Sequence, residues 1–147
     1  MDSGALAVLV VELFAAIKIL GGYPPPSLPP EIHRVAQGYI EEEFCRRPCK
    51  IRAVYDPTQG VFIDATLDIE NDVFARSVLL HELVHHVQAV SGRFDMASID
   101  CARQNRAEAE AYYLQNRYLM SLHHPSRVAM NGWAARCADS EVPTPGQ

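Results

Sequence analysis

The 147-residue chain predicts an α+β fold, three to four helices with a small antiparallel sheet or hairpin packed on one buried helix. Three observations carry that expectation. Apolar residues recur at helical spacing around 73–90, and a second stretch at 106–119 is rich in helix formers. Two short β-branched or aromatic runs, Ile51 to Tyr55 and Val61 to Ala65, flank a turn sequence. An apolar run opens the chain. This length fits one domain, taken as residues 1–140 with a disordered tail at 141–147, and it allows a real core but not a two-lobed architecture.

In chain order, the run from Ala5 to Leu20 is apolar on nearly every side but is interrupted by Glu12 and Lys18 and preceded by Asp2. It reads as too short and too charged for a membrane span, and it lacks the basic region and cleavage site of a secretory leader. A helix packed behind the central one is expected, with membrane or oligomer contact through surplus apolar surface as the lesser alternative. Gly21-Gly22-Tyr23-Pro24-Pro25-Pro26-Ser27-Leu28-Pro29-Pro30 then breaks the helix and reads as a stiff extended connector more than as a ligand for a proline-binding partner. From Glu31 to Phe44 helical spacing returns through Ile32, Val35, Ala36, Tyr39, Ile40 and Phe44, with Pro30 in the first turn. The hairpin follows, turned by Asp56-Pro57-Thr58-Gln59-Gly60. Beyond Pro125 a short helix over 127–137, including Trp133, is expected.

The central helix carries the chemistry. Leu79-Leu80-His81-Glu82-Leu83-Val84-His85-His86-Val87-Gln88 contains HExxH. At about 3.6 residues per turn His81 and His85 share a face, so both imidazoles can reach one ion while Glu82 flanks the remaining coordination position. Phe74, Val78, Leu79, Leu80, Leu83, Val84, Val87 and Val90 make the helix apolar over much of its circumference, which argues for burial. Two histidines and a glutamate buried without partners would be strongly destabilising, and a metal relieves that cost. Asn71 or Asp72 can cap the start, and Gly92 follows the end. Zinc held by neutral imidazoles would bring a bound water's pKa to about 7, from roughly 15.7 in bulk. Glu82 could then take that water's proton and pass it to a leaving amine.

Catalytic zinc usually has a third protein ligand. The metzincin continuation is absent, because Gln88 and Ser91 stand where it needs a glycine and a histidine. Downstream, the Arg106 to Leu119 stretch carries Glu108 and Glu110 among alanines that would let a second helix approach closely. On these residues, from Ser77 to about Leu119, the chain resembles the gluzincins, zinc peptidases that pair HExxH with a glutamate from a later helix. Gluzincin-like families such as CAAX-processing type peptidases and the small regulatory peptidases of bacterial mobile elements carry that glutamate three residues before an alanine, as Glu108 precedes Ala111. Tyr112 replaces the acidic or amide residue that often follows, and the thermolysin-type NExxSD signature is absent.

The resemblance implies a zincin-like fold, one zinc ion on His81, His85 and Glu108, Glu82 as general base, and a peptide or protein substrate. Glu108 and Glu110 point about 200° apart, so only one can be the ligand. Glu108 is preferred, and Glu110 is left as a solvated carboxylate or one that orients a histidine. Cys101 and Asp95 or Asp100 are runners-up. Peptide deformylases place their cysteine before the motif, and the GTxDxxYG context of aspzincins is missing. By the same resemblance Val61-Phe62-Ile63 would be the free strand edge on which an extended substrate adds. Tyr112, one turn beyond Glu108, is the preferred oxyanion donor over Tyr113, His123 and His124. His86 points about 100° from His85 and reads as a surface residue or a support for a ligand.

A formal charge of −5 and no basic cluster argue against a nucleic-acid partner, and Arg46, Arg47 and Lys50 read as a solvated loop. Four cysteines, at 45, 49, 101 and 137, permit three pairings. Cys45 and Cys49 are close enough to bridge locally, and Cys101 and Cys137 flank the Glu108 helix. Pairing would favour the periplasm or the cell exterior, with a leader missing from this sequence, and free thiols the cytoplasm. Two competing functions use the same residues: a zinc-stabilised binding domain without catalysis, and an amide hydrolase that does not act on peptides.

Overall fold

The computed structural model describes residues 1–94 and 101–129. The expected helix over 127–137, the tail at 141–147, Cys137, and the alternative ligands Asp95 and Asp100 therefore lie wholly or largely outside the described residues. Helix α1 is Ser3–Gly21; Asp2 caps it by accepting from the Ala5 amide, and Gly22 closes it at φ 80°. Strand β1 is Ile32–Val35, and helix α2, Gln37–Ile40, runs on into one π-helical turn, Glu41–Cys45. Strands β2, Ala53–Asp56, and β3, Gly60–Asp64, precede the long helices α3, Val73–Ser91, and α4, Cys101–Ser121.

These elements make a small α+β fold of four helices and one mixed sheet in the order β1-β3-β2. The hairpin forms as expected, with Tyr55 opposite Val61 in an antiparallel pair. Asp56 builds its turn by accepting from the amides of Thr58 at 2.8 Å and Gln59 at 3.0 Å. The helix expected from Glu31 to Phe44 is corrected, because its first part is β1, parallel to β3. The spacing of Ile32, Val35 and Ala36 suits a helix, but pairing with a distant strand overrides it. The Val61 amide donates to the Glu31 carbonyl at 2.8 Å, and the Ala65 amide to that of Val35 at 2.7 Å. Gly60 permits this approach: at φ 105° any Cβ there would sit 2.3 Å from the Glu31 carbonyl oxygen. The purely antiparallel sheet is thus corrected to a mixed one.

The sheet separates two apolar layers. Val61 and Ile63 face a core shared with Leu13, Ile17, Leu80 and Leu83, and α4 adds Ala111 and Leu114 to it. On the opposite face Phe62 lies under Tyr39 and Phe44, with ring centroids 5.8 and 5.0 Å away. Cys45, the last residue of the π turn, and Cys49 form a disulfide, and Cys101 is not a free thiol.

Helix α1 packs on α3 and α4 through Leu9, Val10, Leu13, Phe14 and Ile17. Its other side leaves Val8, Val11 and Ile19 at 58%, 67% and 82% exposure. Over eighteen residues its mean hydropathy reaches 2.1, with 28% of that stretch buried, so by length and composition alone it is able to cross a membrane.

Candidate metal centre

Local sequence sets the limits of α3 as expected. Asp72 accepts from the Phe74 amide at the start, and Gly92 at φ 71° ends the helix. Within it His81 and the ring of His85 face α4, which approaches closely over the buried Ala107 and Ala111. That approach brings Glu108 between the imidazoles. Its Oε1 lies 3.2 Å from His81 Nε2 and also contacts His85 Nε2. One ligand atom from each of the three residues lies within 4.8 Å of the other two. Glu110, two residues on, turns away toward Tyr23, Gln88 and Arg93.

Two imidazoles and one carboxylate are a donor set that suits zinc. The electrostatics follow from this crowding. Burial alone would lower the His85 pKa, but its hydrogen bond to Glu108 and the charges of Glu82 and Glu108 raise it to about 9. Glu108 is held far below the ordinary carboxylate range; burial opposes this, and the hydrogen bonds and charges of both histidines outweigh it. Glu82 is raised, chiefly by burial, with Glu108 adding to the effect and the histidines opposing it.

Glu82 lies with one oxygen 4.0 Å from His81 Nε2, and the β2 backbone at Tyr55 comes near enough to oppose the rise of its pKa. That proximity sets one edge of the sheet beside the cluster. The Asp64 amide donates to the Arg52 carbonyl, so by antiparallel alternation Ala53 and Tyr55 point their backbone groups away from β3. The edge facing the site is therefore β2. The assignment of Val61-Phe62-Ile63 as a free edge is corrected, because β3 is the central strand and is paired on both sides.

Tyr112 packs against His81 with its ring tilted, centroids 4.4 Å apart, and burial with the Glu108 and Glu82 charges pushes its phenol up to about 12. The other proposed oxyanion donors are not brought here. Tyr113 is 57% exposed, and His123 and His124 follow the far end of α4, where His124 packs near Phe74. His86 takes no part in the cluster. Its Nδ1 hydrogen-bonds the Tyr55 hydroxyl at 3.0 Å, and burial lowers its pKa. Tyr55 and His86 also line a cavity of about 360 Å³ with His33 and Gln59.

Two residues that the sequence does not single out touch the cluster. Gln115 Oε1 lies 3.0 Å from His81 Nδ1, and Gln88 Oε1 lies 2.8 Å from His85 Nδ1. Both glutamines are buried. Helical spacing was their only available signal: Gln88 is three residues past His85, and Gln115 is two turns past Glu108.

A family model described as a domain of unknown function (DUF6647) matches residues 6–143. No curated protein and no solved structure matches the chain.

Proposed function

The chain belongs to the DUF6647 family, and from that premise we propose that it is a gluzincin-like zinc metallopeptidase on a minimal zincin-like fold, hydrolysing peptide bonds. The observation that carries this reading is the convergence of His81, His85 and Glu108 from two helices, beside a buried Glu82.

His81 and His85 would hold one zinc ion through imidazole nitrogens, with the Glu108 carboxylate as the third ligand. When bound, the ion supplies a Lewis acid that polarises a carbonyl and lowers a water's pKa to about 7. Glu82 accepts a proton from the attacking water on its carboxylate and returns it to the departing amine. Tyr112 keeps its proton at neutral pH and can donate to the developing oxyanion. The outward backbone groups of Ala53 and Tyr55 offer an extended peptide a strand to pair with, on the strand that Glu82 approaches. The substrate edge thus moves from β3 to β2.

Glu82→Gln is the test. The variant is expected to keep its zinc while cleavage of a broad peptide library falls by about 10²–10⁴-fold. An unchanged cleavage rate would refute the mechanism. Zinc uptake by the wild-type chain with no cleavage of any peptide or small amide would leave a zinc-stabilised binding domain.

A further inference from the structure

We infer that Gln88 and Gln115 are positioning residues that fix which nitrogen of each histidine is presented to the metal. The inference rests on the zinc-site reading above. Each glutamine meets a histidine Nδ1 with one end of its amide, and an amide can present either its oxygen or its NH₂. The groups at the far end decide which.

For Gln88 those groups are the Ala107 carbonyl oxygen at 2.9 Å and Glu110 Oε1 at 3.0 Å. A carbonyl and a carboxylate only accept, so the NH₂ must face them and the oxygen must face His85. For Gln115 the far group is Ser77 Oγ at 3.1 Å. That hydroxyl gives its only proton to the Phe74 carbonyl at 2.6 Å, so it can only accept from the amide. The Gln115 oxygen therefore faces His81. Both Nδ1 atoms must then carry the proton, and both Nε2 atoms are the ones turned toward Glu108. With the glutamines 0% and 2% exposed, water cannot substitute for either contact.

Glu110 acquires a role from the same network. It anchors Gln88 and is itself held by the Tyr23 hydroxyl and by Arg93 Nε at 3.4 Å. The support of His85 thus extends to the connector after α1, whereas that of His81 ends within α3. Both supports are neutral amides, so they orient the rings without adding charge beside the metal ligands.

The experiment measures the zinc affinity of the full chain by competition with a chromophoric chelator. It also reads the imidazole ¹H–¹⁵N correlations of the zinc-loaded protein. Gln88→Leu and Gln115→Leu are each expected to weaken zinc by about 10–100-fold. Gln115→Glu keeps an acceptor toward His81, and the Ser77 hydroxyl can turn from the Phe74 carbonyl to donate to it, so this variant should recover most of the Gln115→Leu loss and retain a protonated His81 Nδ1. It also decides the matter if a leucine variant does not fold. The inference is overturned if the leucine variants bind zinc like wild type, or if folded Gln115→Glu fails to hold zinc within about tenfold of wild type with its His81 Nδ1 proton in place. A wild-type chain that takes up no zinc overturns the metal site itself.

Discussion

Helices α1 and α3 are each nineteen residues long and both read as apolar runs, yet they are used in opposite ways. α1 buries five residues, all apolar, and exposes Val8, Val11 and Ile19. α3 buries ten, among them Ser77, His81, Glu82 and Gln88. The helix with more polar residues is the more deeply buried. Apolarity says what water rejects, while burial depends on what the rest of the chain can place alongside. α3 is packed by α1, α4 and the hairpin strands, and its buried Ser77, His81 and Gln88 each meet a hydrogen-bond partner. That satisfaction makes its burial affordable.

The contrast can be broken or sharpened by substitution. The largest effect is expected at Glu108, the partner that α4 supplies to α3. Glu108→Ala should abolish stoichiometric zinc uptake measured by elemental analysis, whereas Glu110→Ala should weaken it only about tenfold. Equal retention in both would undo the assignment. Next, Leu83→Ala at a fully buried α3 position should cost about 2–5 kcal/mol in denaturant unfolding.

Asp64 extends the contrast to β3, as a buried carboxylate satisfied by Thr66 and by Arg52 Nε at 2.6 Å. Burial raises its pKa, but these partners leave it lowered overall. Its stabilisation is therefore present above the ordinary carboxylate pKa and is lost as pH falls through the lower folded value. Asp64→Asn should cost about 1–3 kcal/mol at neutral pH and flatten the acid side of the stability profile. The smallest effect belongs to exposed α1. Val11→Ala and Ile19→Lys should each change unfolding free energy by less than about 0.5 kcal/mol in solution. A loss comparable to Leu83→Ala would show that this face is covered.

The features legible in the sequence were local ones. Asp72, the HExxH spacing and Gly92 mark α3 within a single stretch, and the Asp56 to Gly60 turn declares the hairpin. β1 was not legible, because Ile32, Val35 and Ala36 satisfy a helical period and only Val61 and Gly60, nearly thirty residues on, make them a strand. The free edge was misread for the same reason, since a strand's position in the sheet depends on every other strand. Helix geometry alone says that Glu108 and Glu110 diverge, but which one turns to the histidines depends on how α4 docks. Gln88 and Gln115 act only through contacts between residues on different helices or turns, and no pattern in the chain announces an amide that orients a ring.

The candidate ligands come from two helices separated by the segment after Ser91, so an ion on all three would be a cross-link as well as a reagent. Binding only the folded chain, it would couple the unfolding equilibrium to free zinc, adding about 2.7 kcal/mol at a hundredfold excess over the dissociation constant. A chelator would then loosen the docking of α4 before it reached the hairpin, and the melting temperature of the protein would serve as a gauge of the zinc around it.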